Sequence, residues 1–328
     1  MTEFLPSRLI RGPLLQSVFA NIGPRRNRVV SSAATMLASS QDEIADCGNG
    51  VRLLLQYTAP RNPDRQQVVV LIHGWEGSSQ STYLLSTATR LWLAGYGIVR
   101  INLRDHGNSH DLNEGMFHSC RLTEVIGAVR WVQEAFSNEG VLLVGFSLGG
   151  NFCMRIAASA VQEKLTIKRV VAVCPVLDPR QTMDALDAGW SGYRYYFIRK
   201  WRSSLEKKKS AFPKIYDFTN LNRFNTLRSM THYFVLRYTE FPDLDSYLSG
   251  YALTGERLAN LTVPSTMLLA NDDPVIPVAG LERIARSACL KIERSEFGGH
   301  CGFVSDIGLS SWLDQYVLKA LEWDEPPN

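Results

Sequence analysis

The chain has 328 residues, of which 45% are hydrophobic and 20% are charged. This length and composition exclude a disordered or collagen-like chain and are sufficient to bury a large core. The 35 Lys and Arg residues nearly balance the 32 Asp and Glu residues, and the small net charge of +3 excludes nucleic acid as the main partner.

The sequence carries no targeting or membrane-spanning pattern. Its N-terminus lacks the basic start, apolar middle and small-residue cleavage site of a signal peptide. No apolar run approaches the roughly 18 residues that span a bilayer. The six cysteines are spread along the chain without a Cys-x-x-Cys pair, so we expect reduced thiols. These features predict a soluble, cytoplasmic, globular protein.

Short β-rich runs alternate with longer helical stretches along most of the chain. The first set of predicted strands lies at residues 51–59, 68–72, 98–103, 141–144 and 170–173, with helices at 81–94, 122–136 and 151–162. The second set comprises a strand at 266–270, a helix at about 278–287, a strand at 290–297 and a closing helix at 309–321. Strict alternation of this kind is typical of a mostly parallel sheet with helices on both faces.

Two segments depart from this alternation. Residues 178–257 contain no clean buried strand but many aromatic residues and two basic runs, so we expect a helical cap or lid over one edge of the sheet. Residues 1–50 contain Pro and Gly at spacings that exclude one long helix, and we expect an ordered arm packed on the sheet. The predicted organisation is therefore an arm (1–50), an α/β core (51–177 and 258–328) and a lid insertion (178–257).

A Gly-x-Ser-x-Gly pentapeptide centred on Ser147 lies between a predicted buried strand and a predicted helix. The chain must reverse there within a few residues, which places the serine in a strained turn above the carboxyl edge of the sheet. Gly145 and Gly149 remove side chains that would clash as strand and helix approach. A tight turn with a passive serine is the alternative, but the strand–turn–helix context favours a nucleophile.

A nucleophilic serine needs a base, and the base needs a carboxylate. His300 lies in a glycine-rich loop just after the last predicted strand. Two carboxylates, Asp272 and Asp273, follow the strand at 266–270. We favour Asp273 because the rigid Asp-Pro turn aims it towards the histidine, whereas Asp272 could cap the turn. The order Ser147, Asp273, His300 is the one expected for α/β-hydrolases.

Backbone N–H groups must also stabilise the negative oxygen that develops during attack. The N–H of Leu148, directly after the serine, is one candidate donor. The loop that follows the strand at 68–72 should supply the other, and the backbone N–H of Trp75 is our choice. The remaining five histidines are expected to be structural or solvated.

Together these sequence motifs resemble those of the α/β-hydrolases, and the resemblance covers about residues 50–328. Residues 73–78, His-Gly-Trp-Glu-Gly-Ser, are similar to the His-Gly-x-Glu-Gly-Ser of the YheT-like esterases, relatives of the mammalian ABHD lipid hydrolases. Residues 14–17, Leu-Leu-Gln-Ser, are similar to the N-terminal segment of that group. Residues 102–109 resemble the Arg-Gly-His-Gly-x-Ser turn of many members, with Asp105 in place of the first glycine. The resemblance implies hydrolysis of carboxylic esters with short-chain or lipid-derived acyl groups.

The predicted function is therefore cleavage of a small-molecule carboxylic ester through an acyl-enzyme at Ser147, a reaction that needs no metal ion or organic cofactor. Thioesterase, amidase and acyltransferase chemistry on the same fold are alternatives, as is a ligand-binding module that has lost turnover. The aromatic lid is expected to line the substrate pocket, for example through Trp190 and Tyr195. Weak contact of the basic, aromatic lid with a membrane surface is an alternative role for it.

Overall fold

The computed structural model describes residues 3–62, 66–137, 139–219 and 221–322. The ends of the predicted arm and core, residues 1–2 and 323–328, lie outside the described residues. The strands are β1 (Ser40–Asp46), β2 (Arg52–Thr58), β3 (Val68–Ile72), β4 (Gly97–Ile101), β5 (Val141–Phe146), β6 (Ile167–Val173), β7 (Ser265–Ala270) and β8 (Leu290–Ser295). The helices are α1 (Pro13–Phe19), α2 (Pro24–Ala38), α3 (Thr82–Leu93), α4 (Leu122–Phe136), α5 (Leu148–Ser159), α6 (Pro179–Ala188), α7 (Ser191–Ala211), α8 (Leu227–Tyr238), α9 (Leu244–Gly250) and α10 (Trp312–Glu322).

All eight strands join one sheet in the order β1-β2-β4-β3-β5-β6-β7-β8. The pairs β1–β2 and β2–β4 are antiparallel, and the remaining pairs are parallel. Alternate residues of β3 face opposite sides: Val70 and Ile72 belong to the buried cluster that contains α4 and α5, whereas Val69 and Leu71 belong to the cluster that contains α3 and α10. The predicted mostly parallel sheet with helices on both faces is confirmed.

The sheet begins earlier in the chain than the first predicted strand at residues 51–59. β1 lies within the segment predicted to be an arm, and it pairs with β2 from Ser40, opposite Thr58, to Asp46, opposite Arg52. Because it is an edge strand of mostly polar residues with only Ala45 buried, it has none of the apolar run that marks the central strands. The boundary at residue 50 is therefore corrected: the core begins at Ser40, and the described arm covers residues 3–39.

A second correction concerns the helix expected at about 278–287. The structure has only a short 3₁₀ helix there, Val278–Arg283. Its first residue follows Pro277, and the chain returns to an extended conformation at Ile284, with φ of −89° and ψ of 129°. The segment predicted to be a helix is therefore a loop between β7 and β8 that contains one short 3₁₀ helix.

The chain between β6 and β7 forms helices α6 to α9, with no strand among its described residues. Aromatic residues of this segment pack together within the buried cluster of one sheet face, where the Phe218 ring lies 5.5 Å from the Tyr216 ring and 5.7 Å from the Phe234 ring. Aromatic pairs at such distances stabilise a packed core beyond their buried area. We call residues 178–257 the lid.

A buried ion pair joins the lid to the core. The Lys208 Nζ of α7 lies 2.8 Å from Asp105 Oδ1, and the two side chains are only 1% and 8% exposed. The other carboxylate oxygen of Asp105 accepts the N–H of Phe117 at 2.8 Å. Burial raises the pKa of Asp105, and the Lys208 ammonium opposes that rise. Of the groups that oppose this rise in the pKa, the Lys208 ammonium contributes most.

The backbone of Asp105 explains how it can occupy the position of the first glycine in the turn that residues 102–109 resemble. Its φ is +58°, in the left-handed region that favours glycine and that Asp tolerates better than most residues. Asp105 therefore preserves the turn and adds a negative charge, which pairs with Lys208 of the lid.

Lys208→Met should lower the free energy of unfolding by about 3–5 kcal/mol, because it leaves the Asp105 carboxylate buried without its counter-charge. Urea unfolding at neutral pH measures the loss as a lower midpoint. The same substitution in an Asp105→Asn background should cost much less, since no carboxylate is stranded there. Equal losses in the two backgrounds would show that the packing of Lys208 and its hydrogen bonds to backbone carbonyl oxygens, and not the ion pair, hold the lid.

Candidate active site

Ser147 lies at the sharp turn between β5 and α5. Its φ of +53° and ψ of −117° are values that residues with a side chain rarely adopt. A Cβ added to Gly145 would lie 2.3 Å from the Gly149 carbonyl oxygen, and one added to Gly149 would lie 2.2 Å from the carbonyl oxygen of Ile72. Only glycine fits at either position, which explains why the pentapeptide has a glycine two residues before Ser147 and another two residues after it.

His300 reaches the serine from the loop that follows β8. Its Nε2 lies 3.0 Å from Ser147 Oγ, and its Nδ1 lies 2.9 Å from Asp273 Oδ2. The carboxylate is itself fixed, because Asp273 Oδ1 accepts the N–H groups of Val275 at 2.8 Å and Ile276 at 3.0 Å. The structure therefore brings together the serine, the histidine and the aspartate that the sequence singled out.

Asp272, the alternative carboxylate, makes a different contact. Its Oδ1 accepts the N–H of Gly299 at 2.9 Å, one residue before the histidine. Asp272 therefore holds the backbone of the histidine loop, while Asp273 holds the imidazole ring. Burial raises the pKa of Asp272, and the hydrogen bond from Gly299 counteracts that rise.

The electrostatic environment of His300 favours the protonated ring. Burial alone lowers the pKa of an imidazole, but the charge of Asp273, the neighbouring Cys301 side chain and the hydrogen bond that the ring donates to Asp273 outweigh it and raise the pKa of His300 to about 9. An imidazolium formed on proton transfer from Ser147 is thus stabilised. The unprotonated ring, which can accept that proton, gains population as the pH rises towards 9.

The loop after β3 passes directly beside the serine. A Cβ added to Gly74 would lie 3.2 Å from Ser147 Cβ. Within this loop the N–H of Gly74 donates to Tyr83 Oη at 2.9 Å, and the N–H of Glu76 donates to His106 Nε2 at 3.1 Å. The N–H of Trp75, between them, has no partner among the hydrogen bonds of the described residues. It is therefore available to a bound anion.

Leu148 carries the second backbone N–H that the sequence predicts as a donor. It is the first residue of α5, and the N–H groups of the first helical turn have no carbonyl partner within the helix. The partial positive charge of a helix N-terminus also favours an anion at this position. Trp75 lies in the loop after β3 and Leu148 begins α5, and both residues line the same cavity as Ser147.

Two neutral histidines support the loop after β3. His73 Nε2 accepts the N–H of Leu103 at 3.1 Å, and burial lowers the pKa of His73 to about 4. Burial likewise lowers the pKa of His106, whose Nε2 accepts the N–H of Glu76. Both rings act as hydrogen-bond acceptors for backbone, which is the structural role expected for them.

A cavity of about 510 Å³ lies between the serine and the lid, and Ser147, His300, Trp75 and Leu148 all line it. Such a volume is typical of a small-molecule site. The lining from the lid is largely aromatic. The residues that α7 contributes are Gly192, Tyr193, Tyr196, Phe197, Lys200 and Trp201.

Of the two aromatic residues predicted to line the pocket, the structure places one in the cavity lining and the other outside it. Trp190 lines the cavity at its opening and is 53% exposed. The prediction for Tyr195 is wrong: it lies outside the cavity lining and is 68% exposed. A helix turns about 100° per residue, so Tyr195 lies on the opposite side of α7 from Tyr193 and Phe197, which face the cavity.

Several cavity residues were missed by the sequence analysis. Met116 and Phe117 come from the loop before α4, while Tyr247 and Tyr251 come from the end of the lid. Neither the loop before α4 nor the segment around α9 has a motif that marks a pocket. Ser17 of α1 also lines the cavity. Here a signal existed, because residues 14–17 resemble the N-terminal segment of the YheT-like group.

Neither a metal site nor a membrane span is found in the described ranges. No group of three or more His, Cys, Asp or Glu side chains there could hold a metal ion. None of the described helices is long and apolar enough to cross a bilayer.

Comparison with known proteins identifies related sequences and folds. The family model described as "alpha/beta hydrolase fold" matches residues 67–306. The "Putative esterase YheT" of Escherichia coli strain K12 is 22% identical over 272 residues, covering 79% of this chain and 77% of that protein.

Several solved structures are similar to this chain in fold. An esterase of Pyrococcus furiosus superposes with a TM-score of 0.55 at 14% identity, covering 86% of this chain and 89% of that one. A 2,6-dihydroxy-pseudo-oxynicotine hydrolase superposes with a TM-score of 0.61 at 12% identity, covering 93% and 76%. At such low identity these likenesses show the fold alone.

We expect His300 to titrate at about 9, well above a free imidazole, because of its contact with Asp273. Asp273→Asn removes the negative charge and should lower the pKa of His300, whereas Asp272→Asn is the matched control and should leave it nearly unchanged. NMR titration of the ring nitrogens measures the value in each protein. A larger shift in the Asp272 variant would contradict the assignment of the carboxylate partner.

Proposed function

This chain belongs to the α/β-hydrolase family, and on that premise we propose that it is a serine hydrolase that cleaves carboxylic esters through an acyl-enzyme. The observation that carries the proposal is the chain of contacts from Ser147 Oγ to His300 at 3.0 Å and from His300 to Asp273 at 2.9 Å. It lies beside two backbone N–H groups and at the base of an apolar cavity, so a nucleophile, a base, an anion site and a binding site share one location.

In the proposed reaction Ser147 Oγ attacks the ester carbonyl carbon while His300 Nε2 takes the hydroxyl proton. The negative oxygen is bound by the N–H groups of Trp75 and Leu148, and Asp273 stabilises the imidazolium. His300 then returns the proton to the departing alcohol, which leaves an acyl group on Ser147. A water molecule, deprotonated by the same ring, attacks the acyl-enzyme and releases the acid.

The cavity supports an ester with an apolar acyl group. The Trp75 indole stacks on Phe197 of α7 at 5.4 Å, so the lid closes over the loop that carries one anion donor. Burial of apolar surface stabilises by roughly 25 cal/mol per Å², so each acyl methylene held against this wall contributes about 0.8 kcal/mol, a factor near four in affinity. The esterase name of the YheT relative favours an ester over a thioester, an amide or an acyl acceptor.

Ser147→Ala should fold like the wild type and lose ester turnover by several orders of magnitude, because the triad acts as a unit. Hydrolysis of p-nitrophenyl acetate measures turnover, and an alkylphosphonate probe should label the wild type but not the variant. Ser159→Ala, at the other end of α5, is the matched control and should keep both properties. More than a tenth of wild-type turnover in the Ser147 variant would refute the proposal, and an unlabelled wild type would point to a binding module.

The lid should set the preference for acyl chain length. Trp190→Ala removes apolar surface from the cavity opening, so we expect a selective loss on longer p-nitrophenyl esters, by a factor near four for each methylene that loses its contact. Turnover of the acetyl ester should change little. Tyr195→Ala, from the outer side of α7, the helix that directly follows Trp190, is the matched control and should leave the chain-length profile as it is. Equal losses on every ester would mean that Trp190 only stabilises the lid.

A further inference from the structure

The loop that carries His300 has an unusual backbone. Cys301 and Phe303 have φ values of +56° and +46°, in the left-handed region that side-chain residues avoid, and Gly299 has a φ of +53°. Conformations of this kind persist only where the surrounding structure fixes them. Something must therefore hold this loop, since the position of the imidazole depends on it.

The hydroxyl of Ser17, in α1, bonds directly to the backbone of the histidine. Ser17 Oγ accepts the N–H of His300 at 2.7 Å and donates its own proton to the Pro13 carbonyl oxygen at 2.7 Å. Both ends of the hydroxyl are thus engaged, which fixes it as an acceptor for His300. The side chain is almost fully buried.

Gln16, the preceding residue, holds the far side of the same loop. Its Nε2 donates to the carbonyl oxygen of Val304 at 2.9 Å, and its Oε1 accepts the N–H of Val304 at 2.7 Å. The amide is completely buried, and its second Nε2 proton bonds the carbonyl oxygen of Ile10 at 2.9 Å. One side chain therefore pairs with both backbone groups of Val304, as a neighbouring β-strand would.

The loop is also shaped to receive α1. A Cβ added to Gly299 would lie 2.4 Å from the Pro13 carbonyl oxygen, and one added to Gly302 would lie 2.6 Å from the carbonyl oxygen of Gln16. Further out, Phe4 packs on Phe303 at 5.4 Å. The glycines around the histidine thus permit close contact with the arm, in addition to the bend of the loop.

We propose that Gln16 and Ser17 are positioning residues for the reaction, and that α1 fixes the backbone of His300 so that its ring meets both Ser147 and Asp273. The inference rests on the proposed esterase function. The family match begins at residue 67, so α1 lies outside the matched residues. It also gives a role to the string at residues 14–17.

Ser17→Ala tests the inference because it removes the hydroxyl that accepts the His300 N–H and donates to the Pro13 carbonyl oxygen. We expect kcat on p-nitrophenyl acetate to fall by roughly ten- to a hundred-fold, the scale of effect that a small misplacement of a catalytic group produces, with a smaller change in KM. As His300 loses its fixed contact with Asp273, its pKa should fall, so the acid limb of the pH profile of kcat/KM should move to lower pH. Ser17→Thr keeps the hydroxyl and should restore both properties.

Ser32→Ala, an exposed serine of the arm in α2, is the matched control and should behave like the wild type. Circular dichroism and thermal unfolding establish that each variant folds. If Ser17→Ala does not fold, Ser17→Cys keeps the volume with a poor acceptor and should show the same two changes. Wild-type kcat and an unmoved acid limb in a folded variant would overturn the inference, even if Ser147→Ala is inactive. Activity in Ser147→Ala would instead overturn the proposed function.

Discussion

The site depends on how closely β5 and α5 approach each other at Ser147. Gly145 and Gly149 allow backbone contacts that any side chain would block, and the resulting turn holds Ser147 at a φ of +53°. This strain lifts the hydroxyl out of the sheet edge and places the first N–H groups of α5 next to it. The loops that carry Trp75, Asp273 and His300 follow other strands at the same carboxyl edge, so they converge on the serine.

Identical side chains have opposite electrostatic roles around that serine. His73 and His106 are buried among backbone groups, and burial lowers the pKa of each, which keeps both rings neutral as acceptors. His300 is buried too, but it faces the Asp273 carboxylate, and its pKa is raised to about 9. A neighbouring charge, and not burial, separates a proton-accepting histidine from a structural one.

The lid and the arm are attached to the site by polar groups that are buried. Lys208 of the lid meets Asp105 of the core turn, and both side chains are buried. On the other side, Gln16 and Ser17 bond the histidine loop. Since a buried polar group without a partner is costly, these contacts define where the lid and the arm sit more sharply than apolar packing would.

Local pattern in the sequence determined the buried strands, the turn at Ser147 and the order of the three triad candidates, because hydrophobic period and glycine spacing report on neighbouring residues. It did not reveal β1, whose polar edge residues become a strand only by pairing with β2, nor the outward direction of Tyr195 on α7. The contact of Ser17 with His300 spans 283 residues of chain. Only the tertiary structure could decide it, because no local spacing records which distant backbone group a buried hydroxyl will meet.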